Sequence, residues 1–504
     1  MARDPVTMRP SVSTVALATV AVLLVVYAGL CKALLFHGLE YYHTDFFSFL
    51  EMSRSLYASG ELLRDNVYGH HAAIHNFYLL LAFSPLTVPL GAYGLILGLV
   101  LLHVTAVVRV AFAVTLDLPG RVALLGGYLS PIAFAVFDNP VFGFHPELCY
   151  PPLALLLALD LREGRSRRAI LVAALMVLVK EDGAVLCACV LVAFFAPRLW
   201  ALRAAAPEER RPVATAAARS LLAATLAFAA GMALLWVMGR ALTLPQETAE
   251  VRVLDSLRNV GHAVAGHGVL RESLQWGLVG YGLVGVLTLL PLGRRLFRGV
   301  ALLLVSFPPL LAVLLVAAGT YRFRYMLWPH RLAALQALAV ACLTLALPTS
   351  TSAARRSMVK VVGLLALTWA AQLFLLHRAE GYTPWARLQA PALLRAEGTR
   401  ASTLPPVELR FLRCLGERLP RGLPVSSFGD LHPVFHQQSV VFEARLERAR
   451  HAPRLRVVSA SADGASLAEG FCRGPQVGGL AVEAECALVP LVEGCRQEPR
   501  VPPR

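Results

Sequence analysis

Residues 15–36 read VALATVAVLLVVYAGLCKALLF, an apolar run interrupted by a single lysine. As an α-helix, a run of this kind reaches across the roughly 30 Å hydrocarbon core of a bilayer, which takes about 20 residues. Further apolar runs follow it along the chain. Of the 504 residues, 57% are hydrophobic and only 16% are charged, with a mean hydropathy of +0.61. A soluble domain carries about one quarter charged residues and does not repeat such runs. The composition therefore predicts an all-α polytopic membrane protein.

Counting runs of roughly 17–25 residues gives about eleven transmembrane helices. They fall near 14–36, 90–112, 121–137, 148–161, 168–180, 184–198, 217–239, 276–293, 298–318, 325–347 and 359–377. The stretch FYLLLAFSPLTVPL, 77–90, is short and broken by two prolines, and reads as interfacial or re-entrant. The N-terminus MARDPVTMRPSVS is basic, but no small-residue cleavage site follows the apolar core. An uncleaved first span is expected.

The net charge of +15 belongs largely to arginines between spans. DLREGRSRR (160–168), PRLWALRAAAPEERRP (197–212), GRRLFR (293–298) and ARRSMVK (354–360) alternate with DNPVFGFHPE (138–147), which has no basic residue except His145. This asymmetry predicts a cytoplasmic N-terminus, an odd number of spans and an extracytoplasmic tail. No nucleic-acid motif accompanies the charge, and no nucleic-acid partner is expected. The chain divides into a transmembrane domain, 1–377, whose first outer loop is 37–89, and a tail, 378–504.

Within the tail, PPVELRFLRCLGERL (405–419) has the spacing of an amphipathic helix. LPVSSF (423–428), SVVFEA (439–444) and RLRVVSAS (454–461) read as short strands, so the tail is expected to be a small α/β unit. Cys414, Cys472, Cys486 and Cys495 all fall there, an even number that suits one or two disulfides in any of three full pairings. Their spacing is not that of paired CxxC zinc ligands. Cys31, Cys149, Cys187, Cys189 and Cys342 lie in or beside apolar runs and act there as small apolar residues.

Titratable residues gather in the loops assigned to the outer side. YYHTDFFSFLE (41–51) carries His43, Thr44 and Asp45; GHHAAIHNFY (69–78) carries His70, His71 and His75. FHPE brings His145 and Glu147, and KED brings Lys180, Glu181 and Asp182. Charged turns of this kind can simply end helices at an interface. They can also build a site, since ionisable groups near a membrane are costly unless used. A carboxylate beside histidines suits a general base or a divalent metal ion. However, HHxxxH lacks the glutamate of the HExxH metal signature. The turn GTYRFRYMLWPHR (319–331) sets Arg322, Arg324 and Arg331 among aromatics. Guanidinium groups there suit a lipid phosphate, or snorkel to the interface.

Asp45 and Phe49 after the first span, His75 with Pro85, Phe144 to Glu147, and Lys180 to Asp182 occur in an order that resembles a bacterial family, domain of unknown function 2079. That family of predicted membrane proteins is grouped with the GT-C glycosyltransferases. The likeness covers about 14–345 and extends weakly into LPVSSFGDLHPVFHQQSVVF, while DFFSFLE departs from the family's usual motif by placing Glu51 where an amide is usual. The resemblance implies a bacterial cytoplasmic (inner) membrane location and a polyprenyl-phosphate-linked sugar donor. It implies transfer on the outer face to a lipid, glycan or protein acceptor, with Asp45 as catalytic base. His43, His75, His145, Glu147, Lys180, Glu181 and Asp182 would contact substrate, and Arg322, Arg324 and Arg331 would hold the lipid phosphate. No certain cofactor is expected, a divalent metal ion being the open alternative. A non-enzymatic transporter or flippase for a lipid-linked or anionic substrate is the competing expectation.

Overall fold

The apolar run at 15–36 forms helix α1, Val12–His37. The Ser11 hydroxyl caps its start, accepting the Thr14 N–H at 3.2 Å. The computed structural model describes residues 11–66, 69–70, 75–140, 142–203, 205–241, 329–347, 358–427, 429–441, 451–460, 467 and 469–496. The expected spans 276–293 and 298–318 lie outside these residues.

After α1 the chain turns into α2, Thr44–Ser59, and a small antiparallel ribbon of β1, Arg64–Asp65, with β2, Gly69–His70. A 3-10 turn, Tyr78–Phe83, runs into α3, Ser84–Leu90, so the proline-broken stretch at 77–90 is a short two-part helix. Then come α4 (Ala92–Ala111), α5 (Leu118–Tyr128), α6 (Pro131–Asp138), α7 (Tyr150–Arg162), α8 (Ser166–Val177), α9 (Gly183–Ala201) and α10 (Pro207–Ala241). The described part of the bundle also includes α11, Pro329–Ala346, and α12, Met358–Glu380.

Among the described residues, five helices are long and apolar enough to cross a membrane: α1, α4, α9, α12 and most of α10. A sixth arises if α5 and α6, bent by 45° at Ser130–Pro131, count as one. Pro131 opens α6 because its missing N–H is unneeded in a first turn, and the Ser130 hydroxyl accepts from Ala133 N. The runs at 148–161 and 168–180 differ from expectation. They form helices of 13 and 12 residues, about 20 and 18 Å long, short of a bilayer core. From Tyr150 to Asp160 every residue of α7 is buried, enclosed by α11, α8, α4 and α9. The run is apolar because it is the centre of the bundle. At the end of α7, Arg109 pairs with Asp160 at 2.9 Å and with Glu163 at 3.1 Å.

Beyond α12 lie two short helices, α13 (Pro384–Arg387) and α14 (Ala390–Leu394), and then an α/β unit. Its elements are α15 (Pro406–Arg418), β3 (Pro424–Ser426), β4 (Ser439–Val441), β5 (Leu455–Ser459), β6 (Phe471–Val477), β7 (Leu480–Glu485) and α16 (Val489–Arg496). The sheet order is β4-β3-β5-β7-β6, parallel through β4, β3 and β5 and antiparallel from β5 onward. The β6–β7 turn needs Gly478: its φ is +61°, and a Cβ there would collide with Glu408 of α15. Cys414 pairs with Cys495 and Cys472 with Cys486, one of the three pairings open to the sequence.

This unit caps one end of the bundle. The Ala401 N–H donates to the Gly38 carbonyl at 3.0 Å, and the Arg400 N–H to Glu40 Oε1 at 3.0 Å. His436 packs edge-on against Phe36 and Tyr93. The arginine-rich ends of α7 and α9 lie at the opposite end.

Candidate functional site

Among the described residues, those singled out in the sequence as catalytic or substrate-binding come from four turns at the capped end. Helix α2 begins here, with the His43 ring as its N-cap: Nδ1 accepts the Asp45 N–H at 3.2 Å. Asp45 thus stands in the first turn, where the helix dipole favours a carboxylate. Its side chain is 23% exposed and that of His43 33%, with Asp45 Oδ2 at 3.8 Å from Nδ1. These two groups are reachable from outside the fold.

The second turn, between α6 and α7, is held by Gly143. Its φ is +74°, and a Cβ there would run into the Tyr41 ring. The turn delivers His145 and Glu147 as a buried pair, His145 Nδ1 hydrogen-bonded to Glu147 Oε2. The other Glu147 oxygen accepts from Lys180 Nζ at 2.9 Å. Lys180, Glu181 and Asp182 form the turn between α8 and α9. Asp182 Oδ1 accepts from the Tyr150 hydroxyl, and Glu181 Oε1 meets His75 Nδ1 at 2.7 Å.

Rings join these pieces. His43 contacts Phe142 at 4.3 Å between centroids, Phe142 contacts His145 at 5.8 Å, and His145 contacts Phe49 at 4.7 Å. From Phe49 the chain of contacts continues to Phe77 at 5.2 Å and to His75 at 5.0 Å. The phenylalanines are buried, so they are scaffold and not a ligand platform. The result is two rows. His43, Asp45, His75, Lys180 and Glu181 are partly accessible, and His145, Glu147 and the phenylalanines lie behind them.

The charges in this network are uneven. Burial alone would lower the Lys180 pKa, but Glu147, Asp182 and Glu181 together raise it, so the ammonium stays charged. Burial works to raise Glu181, yet His75 and Lys180 outweigh it and hold its carboxyl down to about 2. Asp182 goes the other way. Burial and then the Glu147 and Glu181 charges, against the opposing pull of Lys180, lift it to about 6. Neighbouring carboxyls whose environments drive them apart are suited to holding and releasing a proton.

A second polar cluster, missed in the sequence reading, lies beside the first. Asp138, at the end of α6, accepts from the Tyr41 hydroxyl, from Arg387 Nε, and from the Tyr382 hydroxyl at 3.0 Å. Lys32 of α1 donates to the Phe137 carbonyl at 2.8 Å and the Asp138 carbonyl at 2.6 Å. The signal for it was the lone lysine in the first apolar run, since a buried charge there needs a partner.

Glu51, on the far side of α2, ties the site helix to the cap. It accepts the Asn66 N–H at 2.6 Å and the Ser439 hydroxyl at 2.7 Å. Burial, aided by Asp65, raises its carboxyl to about 7 against the pull of these donors and Arg54. A folded-state value above the unfolded one means that Glu51 adds stability below about pH 4.5. That contribution is lost as the pH rises through 7. Glu51→Gln, which mimics the protonated acid, is therefore expected to raise the melting temperature at pH 8 and leave it nearly unchanged at pH 5. Thermal scans at the two pH values check this; a lower melting temperature at both would mean that the charged form is the one the cap needs.

Arg322 and Arg324 lie outside the described residues, as do the side chain of Arg331 and the residue His71. Among the described residues, no three His, Cys, Asp or Glu side chains converge closely enough to hold a metal ion. No family model, no curated protein and no solved structure matches the chain.

Proposed function

We propose that this chain is a membrane glycosyltransferase of the GT-C type, built on a polytopic bundle of about eleven helices. It would move a sugar from a polyprenyl-phosphate donor to a lipid, glycan or protein acceptor at the outer face of the bacterial cytoplasmic membrane. One observation carries the reading. The accessible row His43, Asp45, His75, Lys180 and Glu181 lies in turns at the capped end of an apolar bundle, braced by a buried row. Carboxylates and imidazoles at such a boundary suit sugar hydroxyls, while the bundle suits a polyprenyl chain.

In this reading Asp45 takes the proton from the acceptor hydroxyl as that oxygen bonds to the sugar's anomeric carbon. The bond from that carbon to the lipid phosphate breaks, and the phosphate leaves with the electron pair. Arg322, Arg324 and Arg331 would take up its charge. The described arginine-rich loops, at the ends of α7 and α9, oppose the cap, which supports a cytoplasmic N-terminus and an extracytoplasmic cap. The test is transfer by the purified chain in proteoliposomes from a panel of polyprenyl-phosphate sugars, run with and without a chelator. Turnover of one donor supports the proposal; no turnover of any donor, with the protein folded, removes it.

A transporter or flippase is the second reading. His103, buried midway along α4 and bonded to the Tyr128 hydroxyl at 2.7 Å, favours it, as a polar group deep inside the bundle. Movement of a lipid-linked substrate across the bilayer without bond breakage would single it out.

A further inference from the structure

The outward face of α1 changes character at one point. From Val12 to Leu30, about 28 Å of helix, it exposes Val15, Val20, Leu23, Leu24, Tyr27 and, at 49% exposure, Leu30. From Cys31 to Phe36 no position is exposed. What covers this last part is the stretch after α12. Helices α13 and α14 pack on α1, the Tyr27 hydroxyl donates to the Leu388 carbonyl at 2.7 Å, and Ala390 and Leu393 are buried.

The same stretch turns apolar groups outward: Trp385 is 61% exposed and Leu394 70%. Immediately beyond Leu394 the surface becomes ionic, with Arg395 paired to Glu397 at 2.6 Å. At the other end of the bundle, exposed Trp200 on α9 stacks under the Arg203 guanidinium at 4.4 Å. Exposed Trp385 and Leu394 are followed by an ion pair at one end, and Trp200 lies under Arg203 at the other. With the roughly 28 Å apolar flank of α1 in the bundle between them, they fit two bilayer interfaces.

We propose that Pro384–Leu394 is an interfacial element, seated at the headgroup–acyl boundary of a phospholipid bilayer that meets α1 at Tyr27–Leu30. The occupant of this apolar face is the bilayer itself, because Pro384–Leu394 packs on α1 next to Tyr27, at the end of its exposed apolar flank, and itself exposes Trp385 and Leu394. Lys32, Tyr41, Asp138 and Arg387 then stand at headgroup depth. The end of α1 at His37 lies about 10 Å beyond the boundary, which brings the His43–Asp45 turn to the outer edge of the headgroup layer. The inference rests on the apolar spans and not on sugar transfer, so either can fail alone.

The test is depth measurement on the full chain in phosphatidylcholine vesicles. Trp385→Cys and Leu394→Cys carry a nitroxide label. The five free cysteines are buried and stay unlabelled in the folded protein. Leu24→Cys, on the exposed flank of α1, reports the hydrocarbon, and Ala452→Cys, exposed in the cap, reports water. The oxygen-to-nickel accessibility ratio at 385 and 394 is expected to fall between the two references. A ratio equal to that of Ala452→Cys puts the element in water, and one equal to that of Leu24→Cys puts the boundary elsewhere; either overturns the proposal. If the labelled variants do not fold, Trp385→Phe gives a second route. The fluorescence lost in that variant is expected to be the part quenched by lipids brominated near the glycerol, and absence of such quenching also overturns it.

Discussion

Asp45→Asn is expected to reduce sugar transfer in proteoliposomes by about 100-fold or more, the usual contribution of a positioned base. The replacement keeps the size and planarity of the side chain but removes the charge that would accept the proton. Asp45 lies in the first turn of α2, where its own N–H bonds the capping His43, while its carboxylate accepts from the Thr44 hydroxyl at 3.4 Å and stands 3.8 Å from His43 Nδ1. The amide oxygen of asparagine can still accept from Thr44, and the helix-dipole part of the loss is about 0.3–1 kcal/mol. The two roles separate cleanly in measurement. If Asp45 only starts the helix, the variant melts slightly lower and keeps its rate. If it is the base, the melt is nearly unchanged, kcat falls, and the residual rate no longer follows the wild-type pH profile. A full rate in a folded, membrane-inserted Asp45→Asn protein would falsify the assignment.

The largest stability effect is expected at Asp138. Its carboxylate is 1% exposed and answers three partners, Tyr41, Tyr382 and Arg387. Asp138→Ala leaves the half-buried Arg387 guanidinium with only the longer Glu40 contact at 3.7 Å, and breaking a buried pair costs about 3–5 kcal/mol. The double variant Asp138→Ala with Arg387→Met removes both charges and is expected to recover part of that loss. Unfolding followed with a thiol-reactive dye suits this protein, because its five free cysteines are buried until the bundle opens. A double variant no more stable than Asp138→Ala would show that the tyrosine bonds, and not the ion pair, carry the energy. Arg387 precedes the capping unit in the chain, so loss of the pair is also expected to loosen the cap before the bundle.

Much of the architecture is local in origin and was legible from residue order. Apolar runs gave the helical membrane class. The amphipathic spacing at 405–419 became α15, and short β-branched runs became β3, β4 and β5. Strands β6 and β7 were not anticipated. Phe471–Val477 contains glycine and proline, and its place in the sheet comes from pairing with Leu480–Glu485 across a two-glycine turn. The run at 148–161 could not be told from one that faces lipid, since a core helix in an apolar bundle is as hydrophobic, whereas the 12-residue helix from the run at 168–180 does expose Ile170 and Leu171.

For the site, the sequence alone supplied the titratable residues and the order in which the turns present them. Only the tertiary structure decided which of them meet. Glu181 takes His75 and Glu147 takes both His145 and Lys180, contacts that join α8–α9 to residues as many as 106 positions away. Asp138 finds Arg387 across 249 positions, and Cys414 finds Cys495 across 81. The reason is physical. Helix periodicity and capping depend on neighbours within a few residues, whereas a buried charge takes whichever opposite charge the packing brings within hydrogen-bond reach, and that choice belongs to the folded bundle and its cap.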